Sequence, residues 1–240
     1  FYGARTNREG GPITVMATLT GRIYYSGLHI LENRVVSTKI ETKVPSLNDK
    51  YASLLGLYIG ERVEGIPKIT GVSLGFSEMK ELFASSAASG NHALVVLDKV
   101  TPRHSYVDNN SVEKIIVDEK ELDTYYDNIS APLEIYGKVL VYIGCPHLLL
   151  QEVEDLIDYI LAHGGLKRDI VLLLTIPYHY HKLLSFNIEG LREKGIELVF
   201  GACPIVSKLT EKPDIVLTNS GKALFYLTKL HKYRVVLSSL

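Results

Sequence analysis

Short apolar runs alternate with amphipathic helical stretches over the last hundred residues, and this alternation most narrows the folds open to the chain. The runs at 138–143, 169–175, 197–200, 214–218 and 233–237 are strand-sized and rich in Val, Ile and Leu. Between them, 149–163, 179–194 and 221–231 carry apolar residues at helical spacing. Strand, helix, strand repeated in this way predicts a parallel sheet with right-handed crossovers, a Rossmann-like α/β lobe over 133–240. Sites in such sheets lie beyond the carboxyl ends of the strands, so the loops after these runs are where chemistry is expected.

The first half is less regular. Gly10-Gly11-Pro12 followed by Ile13, Val15, Met16 and Leu19 predicts a helix with proline in its first turn, stopped by Gly21. A strand is expected within 34–42, helices over 50–60 and 78–86, and a buried strand at 93–97. The stretch 101–132 is polar and rich in Asp, Asn and Tyr, and reads as a connection with one short strand at 114–118. These assignments make 1–132 a second α/β lobe. The chain opens on Phe1-Tyr2-Gly3 without an initiator Met and runs at once into polar residues, which suggests a fragment, or a processed or split chain.

Composition removes several functions. With 26 Lys+Arg against 27 Asp+Glu there is no basic field to hold nucleic acid or an anionic membrane. No apolar run approaches the ~20 residues of a membrane-spanning helix. Two cysteines, Cys145 and Cys203, do not make a secreted disulfide framework, and without a leader pattern the expected location is cytoplasmic. A single glutamine, Gln151, leans toward a heat-adapted source.

Both cysteines fall just past a strand, as Gly144-Cys145-Pro146-His147 and Gly201-Ala202-Cys203-Pro204. In a parallel sheet these positions share one edge, so the thiols can converge on a metal. Two thiolates cannot complete a four-cysteine cluster or a closed zinc site, so either further ligands come from outside the chain or the site keeps open positions. The alternative is that each cysteine is a small buried apolar residue. A second cluster runs through Gly3-Ala4-Arg5-Thr6-Asn7-Arg8-Glu9-Gly10-Gly11-Pro12 and on to Gly27-Leu28-His29 and Glu32-Asn33-Arg34. Guanidinium forks, glycines and a following helix start suit a small anion, although a self-paired loop on a solvated surface would use the same residues. Ser220-Gly221-Lys222 lacks the earlier glycine of a nucleotide loop, which is Val216 here, and Ala223 replaces its hydroxyl residue. His179-Tyr180-His181 reads as a solvated cap, and Ser85, Ser86 and Ser89 lack a matching His and acid.

Several ungapped runs in order resemble the aconitase X family. They are Gly-Ala-Arg-Thr-Asn-Arg-Glu-Gly-Gly-Pro at 3–12, Thr-Gly-Arg at 20–22, Tyr-x-Gly-Leu-His at 25–29 and Glu-Asn-Arg at 32–34. Gly144-Cys145-Pro146-His147-Leu148, Cys203-Pro204 and Thr218-Asn219-Ser220-Gly221-Lys222 continue the likeness over nearly the whole chain. The resemblance implies an aconitase-like α/β fold and a dehydratase in which an iron ion or iron–sulfur cluster binds the leaving hydroxyl. It makes Cys145 and Cys203 metal ligands, with at least one further ligand outside this chain. It places Arg5, Thr6, Asn7, Arg8 and Glu9 against a phosphorylated or carboxylated small molecule, with His29, Glu32, Ser220 and Lys222 as further contacts. The implied substrate is (R)-5-phosphomevalonate, and the implied partner is a small swivelling-domain subunit that closes the cleft and supplies the base. A cis-3-hydroxyproline dehydratase is the alternative within the family, and a metal-free binding subunit the alternative outside it. Leu224-Phe225 and 101–132 depart from the family pattern, which leaves the substrate the more open question.

Overall fold

The computed structural model describes residues 3–239 apart from 45, 133, 135, 168, 204, 205, 208 and 210. Pro204 of the second cysteine motif therefore lies outside the described residues. The first half contains α1 (Gly11–Thr20), β1 (Thr38–Thr42), α2 (Asp49–Arg62), β2 (Pro67–Thr70), α3 (Phe76–Gly90), β3 (Val96–Leu97), β4 (Glu113–Val117) and α4 (Glu119–Ile129). The second contains β5 (Val139–Ile143), α5 (Leu150–Ala162), β6 (Ile170–Ile176), α6 (Ile188–Arg192), β7 (Ile196–Phe200), β8 (Ile215–Thr218), α7 (Gly221–Lys229) and β9 (Val235–Leu237). The strands form two all-parallel sheets, in the orders β3-β2-β1-β4 and β7-β6-β5-β8-β9, so the expected α/β class holds.

Two local expectations are corrected. The stretch 101–132 is no connection. Its strand β4 pairs in register along β1, Ile40 opposite Ile115, and Asp118 then caps α4 by accepting from the Glu121 N–H at 2.8 Å. Leu122 and Tyr125 are the buried face of that helix, and their spacing is hidden in a sequence otherwise crowded with polar residues. The helix expected over 179–194 is broken. A 3-10 turn spans Tyr178–Lys182, and Asn187 starts the five-residue α6 afresh by accepting from the Gly190 N–H. α1 forms where expected and ends on Gly21 in the left-handed conformation, yet none of its residues is buried.

One core joins the two sheets. Ile40, Ile69 and Val117 of the first meet Tyr142, Val216 and Leu237 of the second through Leu54 of α2, Leu82 of α3 and Leu224 of α7. A second core, with Ile143, Leu174 and Leu198 under Val153 and Ile157, packs α5 on the opposite face of the second sheet. α2 and α3 approach closely through glycines and small serines. A Cβ on Gly90 would lie 2.5 Å from the Gly60 Cα, and one on Gly56 would lie 2.4 Å from the Leu82 carbonyl oxygen. This close pair is the platform on which the start of α7, and with it the cysteine edge, comes to rest.

Candidate functional site

Cys145 follows β5 and Cys203 follows β7, with β6 between them in the sheet. One contact joins the two loops over β6, and two more tie the Cys145 side to the end of β6. His147 Nε2 donates to the Ala202 carbonyl at 2.8 Å, the Thr175 hydroxyl at the end of β6 donates to Gly144 O at 2.6 Å, and Tyr142 reaches Thr175 Oγ1 at 3.2 Å. The Thr175 hydrogen is spent on a carbonyl, so the Tyr142 hydroxyl is the donor in that pair. Gly144 sits at φ 115°, and a Cβ there would meet the Thr175 carbonyl oxygen at 2.4 Å, so only glycine lets the chain turn so close to β6. Both thiols are free, Cys145 buried and Cys203 half-buried. Burial pushes the Cys145 thiol up to about 12, opposed by the positive charge of Lys222 and reinforced by Cys203 and Glu81.

The third wall is the start of α7. Ser220 is its N-cap, accepting from the Ala223 N–H at 3.2 Å, and its hydroxyl donates to the Cys145 carbonyl. Ser53 of α2 accepts from the Gly221 N–H at 2.9 Å and donates to the Asn219 carbonyl at 3.0 Å. The Asn219 amide donates to Asp49 at 3.2 Å. Packed beneath these groups is Glu81 of α3, 3% exposed, whose carboxyl is pushed up to about 8 mainly by burial, against the pull of the Lys80 ammonium. Glu81 and Ser53 carried no functional expectation. The available signal was a carboxylate on the buried face of a helix, one turn before Ser85 and beside Leu82. A groove of about 630 Å³ opens alongside, lined by Asp49, Lys80, Glu81, Asn219 and Glu152 over an apolar floor that includes Ile143 and Leu148.

The amino-terminal run builds a different place. Three of the residues expected to face a small anion converge instead on the chain's own Glu9: the Thr6 hydroxyl at 2.6 Å, the Asn7 backbone N–H and side-chain amide each at 3.1 Å, and His29 Nε2 at 2.6 Å. The Thr6 hydrogen bond, partly offset by desolvation and helped by Asn7 and His29, holds the Glu9 carboxyl down at about 2. Because that carboxylate only accepts, the His29 Nε2 carries the hydrogen. Arg8, at φ 61°, donates to the carbonyls of Ala87 and His92 and to the Asn91 side chain, closing the carboxyl end of α3. Arg5 and Glu32 are exposed, and Arg5 makes no hydrogen bond among the described residues. Glu81 and Asn91 are ten residues apart on α3, about 15 Å of helix, so Arg8 is not brought to the cysteines. Ser220 and Lys222 are. Among the described residues no three His, Cys, Asp or Glu side chains gather as a metal-binding group.

Sequence models of the aconitase X second and third domains match residues 34–127 and 139–240, which together cover most of the chain. The chain belongs to the aconitase X family. The phosphomevalonate dehydratase large subunit of Methanosarcina mazei is 33% identical over 232 residues, covering 94% of this chain and 55% of that protein. Its counterpart in Methanocaldococcus jannaschii is 30% identical over 98% of this chain and 60% of its own length. The cis-3-hydroxy-L-proline dehydratase of Hypocrea jecorina is 26% identical, with 93% of this chain and 40% of that protein covered. The holo-form crystal structure of Thermococcus kodakaraensis aconitase X superposes with a TM-score of 0.86 at 26% identity, over 99% of this chain and 61% of that one. The chain thus spans between 40% and 61% of the length of these relatives, and it does so with the aconitase X fold.

Proposed function

We propose that this chain is the large-subunit part of an aconitase X hydro-lyase that removes water from (R)-5-phosphomevalonate to give trans-anhydromevalonate 5-phosphate. The observation that carries this reading is the meeting of the Cys145 and Cys203 loops with the Lys222-bearing start of α7 at one carboxyl edge. Names of relatives such as the Methanosarcina mazei protein support the reaction class and the phosphorylated substrate.

Two free thiols at one edge fit a metal centre completed from elsewhere. Cys145 and Cys203 would hold an iron ion or iron–sulfur cluster together with at least one ligand outside this chain. Bound there, such a centre supplies Lewis acidity toward a leaving hydroxyl. The chain's own part is positional. Ser220 pins the Cys145 loop through its carbonyl, Lys222 sets an ammonium beside the thiol, and the first turn of α7 adds its positive dipole end for substrate oxygens. Arg5, exposed and with its guanidinium unengaged among the described residues, is the first choice in the amino-terminal run for a phosphate or carboxylate, while Thr6, Asn7, Glu9 and His29 shape that loop. A small swivelling subunit, implied by relatives named as large subunits, closes the cleft and brings the base.

The same geometry accepts a hydroxyproline, and the Hypocrea jecorina relative favours that as the second reading. Complete protein with its small subunit, purified without oxygen, should contain iron, lose it in C145S and C203S, and deplete phosphomevalonate faster than cis-3-hydroxyproline. Residues 1–240 alone should turn over neither compound, even after iron and sulfide reconstitution. Full iron content in the double C145S/C203S variant, or turnover by the isolated chain, would overturn the assignment.

A further inference from the structure

Glu81 faces the hydroxyl oxygens of Ser53, at 3.5 Å, and of Ser220. A serine hydroxyl has one hydrogen to give, and both are committed. Ser53 gives its hydrogen to the Asn219 carbonyl at 3.0 Å and Ser220 to the Cys145 carbonyl, and carbonyls cannot donate in return. Each serine oxygen also accepts one backbone N–H, Gly221 on Ser53 and Ala223 on Ser220. What the two hydroxyls still offer Glu81 is a lone pair, not a hydrogen. An ionised carboxylate there would meet two acceptors while 3% exposed, which is a costly arrangement. A neutral carboxyl meets them as a donor.

We propose that Glu81 is kept protonated as a hydrogen-bond donor to the Ser53–Ser220 pair, and that in this form it is a positioning residue for the start of α7 and the Cys145 loop. The proposal rests on the dehydratase reading only for its kinetic arm.

The surrounding charges fit a neutral Glu81. On α3 the adjacent Lys80 points its ammonium to Glu152 of α5 at 2.6 Å, so it is satisfied without Glu81. On α2 Asp49 is a second carboxylate facing the same space, where it accepts from Asn219, and with Glu152 it raises the Glu81 carboxyl further. From α7, Lys222 acts on the Cys145 thiol. The buried Asn219 Oδ1 has no partner, and turning the amide over would set that oxygen against Asp49, so the amide stands with its nitrogen toward Asp49 and leaves its oxygen as one more acceptor in this space. The acid is thus enclosed by acceptors on α2 and α7, and its own hydrogen closes the set.

The complete protein with its small subunit tests this through E81Q, which keeps a neutral donor, and E81L, which removes it. Wild type should show the carbonyl stretch of a protonated carboxyl in its infrared spectrum at pH ~7, absent in E81Q and fading above about pH 8. E81L should lose about tenfold or more in kcat/KM, as expected when buried partners are left unsatisfied, and E81Q should restore most of that loss. E81Q should also lack the alkaline decline of the wild-type pH profile. Absence of the carboxyl band, or E81Q as impaired as E81L, would show that Glu81 works ionised and overturn the proposal. The band needs no substrate, so a protein inactive on both substrates would refute the dehydratase reading and leave the proposal to the spectrum; should E81L fail to fold, the band and E81Q decide.

Discussion

At the scale of single residues, two arginines that look equivalent in sequence have been given different work. Arg8 is spent on the last carbonyls of α3, where a cation also complements the helix dipole, whereas Arg5 is exposed and hydrogen-bonds to none of the described residues. Arg8→Ala should therefore cost about 1 kcal/mol of stability, read by chemical denaturation, and speed amide exchange around Ala87 and His92. Arg5→Ala should leave stability within about 0.5 kcal/mol. In the complete enzyme it should raise KM about tenfold or more, as loss of a charge-paired contact does. The reverse pattern would exchange their roles. Glu9 adds an acid-sensitive latch to the same loop. Its carboxyl lies below its ordinary value of 4.5, at about 2 when folded, so its contribution is present above pH 4.5 and is lost as pH falls toward 2. Exchange of the 3–12 amides should rise over that window while the cores stay protected.

At the scale of elements, the α2–α3 crossing and the start of α7 are where substitutions should be felt most. G90A inserts a methyl against the Gly60 backbone and should destabilise by about 1–3 kcal/mol, while G11A, which meets nothing within 4 Å, should stay within about 0.5 kcal/mol of wild type. Comparison of denaturation midpoints checks both. Ser220→Ala removes a helix cap and the tether on the Cys145 carbonyl together. It should cost about 1–3 kcal/mol and, in the complete protein, lower iron retention, because the loop carrying the thiol is released. Serine to threonine should recover part of the cap. If S220A holds iron as wild type does, the tether does not matter to the metal site.

At the scale of the whole molecule, Glu81 links stability to pH through the core shared by both sheets. Its carboxyl titrates at an ordinary 4.5 when unfolded and at about 8 when folded. Between those values the folded state binds the proton that the unfolded state has released, so stability is full below pH 4.5 and falls as pH rises through 8. The slope approaches about 1.4 kcal/mol per pH unit for one proton, reduced by any opening of the seam at higher pH. E81Q should flatten the curve, which makes it the more stable form at pH ~8. Equilibrium unfolding at a series of pH values measures this directly, and a wild-type curve with no slope over that range would contradict it.

Strand and helix alternation gave the second sheet almost element by element, because buried parallel strands are continuous apolar runs and their helices keep a clear period. The Cys145 and Cys203 positions could be read as candidates for the same reason: a loop after a parallel strand is committed to one edge. In the first half the periods are short, mixed with polar residues or broken, so β2 and α4 emerge only from pairing and capping, as does the division between the 3-10 turn and α6 in the second half. The roles of Arg8, Glu9 and Glu81 were likewise out of reach. Each depends on partners 79, 20 and 139 positions away, at Ala87, His29 and Ser220, and nothing in local spacing records which donor meets which acceptor once the chain has closed. Sequence by itself determined which residues are capable of the chemistry and which edge of the sheet presents the thiols; only the tertiary structure decided which charges are already satisfied, because that follows from burial and from the count of hydrogens at each contact.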